Sequence, residues 1–406
     1  MGIEGFSSFL KSKAPKSTIE IPLKALSGKR ICIDMANLIF RMRCGSISQA
    51  IRSTDLLSEE PSLDLINKIN TKYILDKLAL FLYHNVNVIC IFDSEPHPLR
   101  SIVHGRRKKD KDDAKAKFEE VRKQWLEASI MERQSLLVDY VKYYTRYYTS
   151  PPFGYMAHIQ NLCRELGFPT YSPSDFFSPV DGHPSSGDSE GLCATFCMSG
   201  NDYCWGAYTN DSDFHVYGGN FAILDVFEKN ITGIREYHLQ IRCLENILSQ
   251  INVDYNTFQL ICIIGGCDYN EKIPKVQCTT AYNKLLKAGS LEKLKTMLDL
   301  TPTNLDEVLK IFRTSIIKIE PPQLSFDIVK FNTCSQNLLN AEGYYDYIRI
   351  INDIPMFKAD RGISDNIPHV SIFDKFVIDD ITEKSVDNLS DSLSDDVNLE
   401  VETTCN

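Results

Sequence analysis

Arg30-Ile31-Cys32-Ile33-Asp34 and Val88-Ile89-Cys90-Ile91-Phe92-Asp93 are short apolar runs, each closed by a carboxylate. A helical pattern over 62–84 lies between them. Strand, helix, strand in that order implies a βαβ unit and a parallel sheet. Similar endings recur at Asp188-Ser189-Glu190, at Asp211-Ser212-Asp213 after the strand-like residues 203–208, and at Asp268 after the strand-like Ile261-Cys262-Ile263-Ile264-Gly265-Gly266-Cys267. In an open α/β sheet, ligands bind in the crevice beyond the carboxyl ends of the strands. Acids ending several strands therefore converge on one pocket, and so many charges need cations to neutralise them. Hard oxygen ligands of this kind suit Mg²⁺, with Mn²⁺ able to substitute. The set Asp34, Asp93, Asp188, Glu190, Asp211, Asp213 and Asp268 reads as a metal-dependent phosphoryl-transfer site.

Taken singly, each acid has a structural reading. Asp34 and Asp93 suit caps closing buried strands, and Asp188 and Glu190 suit the start of a helix. Asp211 and Asp213 fit a turn, as does Asp268 after two glycines. The constellation changes the odds.

The chain has 406 residues, with 43% hydrophobic and 24% charged content, an ordinary balance for a chain with a large core. Its longest apolar stretches are strand-sized, far short of the roughly 20 residues needed to span a bilayer, and no membrane partner is expected. The 13 cysteines are odd in number and show no CxxC or zinc-like spacing, and several lie inside apolar runs. A reducing intracellular compartment, nucleus or cytoplasm, fits best. The net charge of −10 is concentrated at the end, where residues 379–406 hold nine acids and one base. Residues 1–378 carry a net of only −2, which leaves room for a nucleic-acid partner.

The expected fold class is α/β, a mostly parallel central sheet with flanking helices. An α/β region over 1–99 is followed by a basic helical insertion over 100–150. Residues 151–268 complete the same core, and 269–320 form a helical extension. A mixed region covers 321–378, and 379–406 have the charge and Ser/Asp/Asn bias of disorder. The insertion carries Arg100, Arg106, Arg107, Lys108 and Lys109 among acids. A solvated helix with i,i+4 pairs and a phosphate grip beside the acids are equally good readings of that stretch. Arg100 and Arg107 are seven residues apart, a spacing that places both on one helix face.

Together these residues resemble the flap endonuclease/XPG-like family of structure-specific 5′ nucleases. The resemblance begins at Met1-Gly2-Ile3 and continues through Asp34-Met35-Ala36-Asn37 and Phe92-Asp93-Ser94-Glu95-Pro96. It takes in Arg100 and Arg107, Gly187-Asp188-Ser189-Glu190-Gly191, Asp211-Ser212-Asp213 and Gly266-Cys267-Asp268-Tyr269. It implies a PIN-like nuclease core, with Asp34, Asp93, Asp188 and Glu190 around one Mg²⁺ and Asp211, Asp213 and Asp268 serving a second. It further implies that Arg100 and Arg107 are catalytic, stabilising charge on the phosphate. Phe40 stands where the family carries an aromatic that stacks on a nucleobase, and a core Phe on an amphipathic helix is an equal reading. Residues 101–149 would form a helical arch passing a single-stranded flap. Arg106, Lys108, Lys109, Lys272 and Lys275 are the candidate nucleic-acid contacts.

The chain departs from the family at Ile273-Pro274-Lys275-Val276-Gln277-Cys278-Thr279-Thr280, where Lys275 and Gln277 replace both glycines of a duplex-binding hairpin. Larger residues hinder close approach of backbone to phosphate, which weakens the case for the duplex grip and its K⁺ site. The Gly-Cys-Asp form and Ile/Asn/Tyr-rich usage are similar to versions from large DNA viruses. The Gln-led sliding-clamp motif of cellular members is missing. Residues 370–377 keep apolar side chains at similar spacing, but packing on the core is the favoured reading there. The expectation is a monomeric Mg²⁺-dependent 5′ flap endonuclease with some 5′ exonuclease activity, acting on branched DNA in replication, repair or recombination. The alternatives are an XRN-type 5′-to-3′ exoribonuclease, a catalytically silent junction binder and a PIN-like scaffold.

Overall fold

The structure is a computed structural model that describes residues 2–177, 187–198, 201–231, 233–313, 319–327 and 329–331. Most of the expected mixed region, the clamp-like 370–377, the acidic tail and part of the loop before Asp188 lie outside the described residues.

The chain begins with helix α1 (Phe6–Lys13), strands β1 (Thr18–Pro22) and β2 (Arg30–Asp34), helices α2 (Met35–Ser53) and α3 (Leu63–Tyr83), and strand β3 (Asn87–Ile91). Two long helices follow, α4 (Ser101–Glu127) and α5 (Ile130–Tyr148). Then come α6 (Tyr155–Glu165), β4 (Thr170–Tyr171), α7 (Ser189–Cys197), β5 (Gly206–Tyr208) and α8 (Asp213–Val216). Strands β6 (Phe221–Ile231) and β7 (Ile234–Cys243) complete the sheet. Five helices close the described chain: α9 (Leu244–Ile251), α10 (Tyr255–Gly265), α11 (Cys278–Ala288), α12 (Leu291–Met297) and α13 (Leu305–Arg313).

The strands form one seven-stranded sheet in the order β1-β7-β6-β5-β2-β3-β4. β2 lies between β5 and β3 and is parallel to both, while β7 runs antiparallel to β6 and β1. The sheet is thus mostly parallel, as expected. Every residue of β2 is buried because helices cover both faces. Ile31 and Ile33 point into one apolar cluster with Val88, Leu78 and Phe81, and Cys32 points into the other with Ile89, Leu192 and Ile261. This two-sided burial explains why the strand reads as a continuous apolar run.

Two elements differ from the sequence reading. The run 261–264 is not a strand but the end of α10, whose cap Asp254 accepts a hydrogen bond from Thr257 N. A short apolar run fits a buried strand and a fully buried helix equally well, and periodicity alone does not separate them. Residues 221–243 make an antiparallel pair in place of another βαβ unit. Its far end, including Glu228, Lys229 and Asn230, is exposed and so carries no apolar alternation.

The basic insertion folds as a helical hairpin of α4 and α5. One face of it is held by aromatic packing: Phe118 of α4 sits 5.2 Å from the Tyr140 ring and 5.0 Å from the Tyr144 ring of α5. These side chains share a cluster with Ile47 and Ile51 of α2 and Ile66 of α3. Polar ties reinforce the join. Tyr144 donates its hydroxyl to Pro61 O at 2.8 Å, and the buried Arg43 donates Nε to Tyr148 O at 2.8 Å. Among the described residues no helix is long and apolar enough to cross a membrane. Phe118→Ala should cost about 3–5 kcal/mol, read by denaturant unfolding, and speed proteolysis within 101–148.

Candidate metal centre

Asp34, at the end of β2, is the hub on which the site is assembled. It caps α2, accepting from Asn37 N at 3.0 Å, so its structural reading holds as well. Ser189 Oγ donates to Asp34 Oδ1 at 2.8 Å and Thr209 Oγ1 donates to Oδ2 at 2.9 Å. One buried carboxylate thereby ties β2 to the start of α7 and the end of β5. Ser189 also donates its backbone N to Asp93 Oδ1 at 2.9 Å.

Asp93, Asp188 and Glu190 each offer a carboxylate oxygen, and these oxygens lie within 4.8 Å of one another. Asp188 occupies the N-cap position of α7 and Glu190 sits in its first turn, so these two acids project from a helix start and not from a strand end. Asp211 and Asp213 follow β5, with Asp213 N donating to Asp211 Oδ1 at 3.2 Å. Asp268 lies in the turn between α10 and α11. Its Oδ2 accepts from Arg100 Nη2 at 3.2 Å and from Arg107 Nη2 at 2.6 Å. Arg100 ends a short 3-10 turn at the N-cap position of α4, and Arg107 stands two turns further on. The two side chains meet on one acid. Arg100 also pairs with Asp188.

The electrostatics join all seven acids into one neighbourhood. Burial pushes the Asp34 carboxyl up to about 7, and the nearby Asp93 charge adds to the effect. Burial holds Glu190 well above the usual carboxylate range, with Asp34, Asp211, Asp188 and Asp93 all contributing. Asp213 is raised in the same way by burial, then Asp211 and Asp268. Burial also raises Asp188, against the opposing pull of Arg100. Burial works against the charge of Arg100, but Asp188, Glu190, Asp268 and Asp93 outweigh it and keep the guanidinium protonated. Two arginines do not balance seven acids. Asp213 Oδ1 is buried without a partner among the described residues. Crowded hard oxygens with too little countercharge are a donor set that suits a divalent cation.

The remaining candidates are spread around this centre. Arg106, Lys108 and Lys109 are exposed on α4. Phe40 is half-buried on α2 and belongs to none of the three apolar clusters, which disfavours a core role. Lys272 pairs with Glu4, so its charge is already engaged. Lys275 is exposed with φ +62°, the backbone region a glycine enters freely. The hairpin thus keeps a left-handed residue without its glycine, at a strain of about 1–2 kcal/mol.

Sequence reasoning missed Ser189, Thr209, Tyr269 and Gly2 as parts of the site. Ser189 sits inside the acidic triplet and Gly2 and Tyr269 inside matched motifs, but none is acidic or basic. Gly2 has φ +96°, and a Cβ there would lie 2.2 Å from Asp211 Oδ1 and 2.4 Å from Ser212 Oγ. Ile3 N donates to that same Ser212 Oγ at 2.7 Å, which fastens the start of the chain against the second acidic pair.

A mostly parallel α/β core with a helical hairpin and clustered acids defines the class, an α/β nuclease-like fold. The chain matches the XPG N-terminal domain over residues 1–114 and the XPG I-region over residues 180–268, half of its length in all. It belongs to the XPG/flap endonuclease family. It is 24% identical to flap endonuclease 1 of Theileria annulata over 294 residues, 72% of this chain and 51% of that protein. It is 25% identical to flap endonuclease 1 of Cryptosporidium parvum over 332 residues, 78% of this chain and 61% of the relative. The match therefore spans about half the length of the first of these relatives. The fold is similar to the catalytic core of Rad2 in complex with DNA substrate, with TM-score 0.52, 13% identity, and coverage of 87% of this chain and 99% of that one. It is also similar to flap endonuclease-1 from Methanococcus jannaschii, with TM-score 0.51, 17% identity, and coverage of 84% and 97%.

Gly2→Ala should push Asp211 aside and lower any metal-dependent activity at least about tenfold, while the φ penalty of about 1–2 kcal/mol moves the melting temperature by only a few degrees. Parallel thermal melts and rate measurements would check this.

Proposed function

We propose that this chain is a Mg²⁺-dependent, structure-specific 5′ nuclease that cuts DNA at the base of 5′ flaps and branched junctions. Some 5′-to-3′ exonuclease activity accompanies the incision, in DNA replication, repair or recombination. The observation that carries this reading is the convergence of seven acids from five parts of the chain on one neighbourhood that also holds Arg100 and Arg107.

Asp93, Asp188 and Glu190 would hold one divalent cation, with Asp34 fixing the elements that present them. Asp211, Asp213 and Asp268 would serve a second. When bound, such ions supply the positive charge the acids lack, and the Lewis acidity that polarises a phosphoryl oxygen and acidifies water. Arg100 and Arg107 turn their guanidinium groups toward the acids and so stand ready to stabilise negative charge building on a phosphate. Phe40 offers a partly exposed ring for stacking on a base. The exposed Arg106, Lys108 and Lys109 on α4 suit a single-stranded phosphate backbone. Lys275, on its exposed left-handed turn, would meet duplex as a point charge and not through close backbone approach.

The test is incision of an end-labelled double-flap DNA, with and without Mg²⁺, beside matched single-stranded RNA. Cutting at the flap base only with Mg²⁺ is expected. Stepwise degradation of the RNA alone would move the chain to the exoribonuclease branch. Asp93→Ala or Asp211→Ala should reduce cleavage to background while flap binding, measured by fluorescence anisotropy in chelator, stays within about threefold of wild type. Wild-type cleavage in either variant would sink the two-ion assignment.

A further inference from the structure

Asp188 is held from two sides. One oxygen pairs with Arg100 Nη1, and the other accepts from the hydroxyl of Tyr269. Tyr269 is fully buried, and its hydroxyl also meets that of Tyr217 at 2.7 Å. A phenol has one proton to give. In the ionised form that would hold a cation, the carboxylate only accepts, so the Tyr269 proton goes to Asp188 and Tyr217 must donate to the Tyr269 oxygen. The second bond polarises the first, as in other chains of hydrogen bonds.

Both rings are fixed by packing. Phe312 of α13 lies 4.7 Å from the Tyr217 ring and 5.5 Å from the Tyr269 ring. The Arg100 guanidinium sits 5.6 Å from the Tyr269 ring centroid. Tyr217 is also anchored through its backbone, whose N donates to Asp213 O at 2.9 Å. Tyr269 therefore touches both groups that engage Asp188: it bonds the acid and lies against the arginine.

From this geometry we infer that Tyr269, backed by Tyr217 and walled by Phe312, is a positioning residue that orients Asp188 toward a divalent cation. The inference rests on the metal reading above and deepens it. Partners that orient a metal-holding carboxylate set affinity as well as rate, and their loss typically weakens binding by about 10–100-fold. If the two hydroxyls merely satisfy each other inside the core, their removal changes stability and leaves cation affinity alone.

Mn²⁺ binding to the full chain, followed by electron paramagnetic resonance of the free ion, separates these cases without any nuclease assay. Tyr269→Phe should weaken Mn²⁺ affinity about tenfold, and Tyr217→Phe should weaken it by a smaller factor of about three. The double variant should bind no more weakly than Tyr269→Phe alone, because Tyr217 acts through Tyr269. Tyr171→Phe is the control: its hydroxyl donates to Gln323 O at 2.8 Å, away from the acids, and its removal should leave Mn²⁺ affinity unchanged. Melting curves in chelator confirm that each variant is folded. Wild-type affinity in Tyr269→Phe, or an equal loss in Tyr171→Phe, overturns the inference while leaving the metal site standing. No Mn²⁺ binding by the wild-type chain would overturn the metal reading and this inference with it.

Discussion

Like charges confined in a small, mostly dry volume are the constraint on which the rest of this structure turns. Six of the seven site carboxylates are buried, and only Asp93 is exposed. Bringing them together costs desolvation and mutual repulsion, which the fold offsets only in part. Arg100 and Arg107 supply fixed countercharge on Asp188 and Asp268. Ser189, Thr209 and backbone N–H groups supply hydrogen bonds to Asp34 and Asp93. The remaining imbalance is what the proposed divalent cations would neutralise. Strands β2, β3 and β5 and helices α4, α7 and α10 all direct an end at this one region.

The insertion shows the same division between holding and working surfaces. One face is aromatic and buried, with Phe118, Tyr140 and Tyr144 packed on α2 and α3. Its outer surface is basic and exposed at Arg106, Lys108 and Lys109. Aromatic packing gives a rigid mount, so Arg107 reaches Asp268 from a helix that is itself fixed to the core. Gly2 plays a comparable part at the other side, where the absence of a side chain lets the first residues lie against Asp211 and Ser212.

Much of this was legible in the sequence, for identifiable physical reasons. β2 and β3 are buried on both faces, so they read as apolar runs, and the acid ending or following each stood out against them. The long insertion was legible from charge and helix-favouring composition. Asp268 was found for a partly mistaken reason: most of the run before it belongs to a helix, which a seven-residue apolar stretch does not reveal. The β6–β7 pair left no clear pattern because its outer half faces solvent. Ser189, Thr209 and the Tyr217–Tyr269 pair act through single hydrogen bonds between distant parts of the chain, and no local spacing encodes those. Lys275 is a further case: the sequence shows a lost glycine, and only the backbone shows that the left-handed turn persists.

The central claim, that the acids are forced together against their own repulsion, has a direct thermodynamic signature. The folded state holds the Asp34 proton up to about pH 7, against an ordinary value of 3.8, and Asp188, Glu190 and Asp213 are shifted in the same direction. A folded pKa raised above the unfolded one means that the native state binds more protons in between, so stability falls as pH rises through that window. The measurement is the denaturation midpoint in chelator from about pH 5 to about pH 7.5, repeated with Mg²⁺. The account predicts a midpoint that falls with pH in chelator and is restored by Mg²⁺, most strongly at the upper end. A midpoint that stays flat or rises over that range in chelator, with no gain from Mg²⁺, would contradict it.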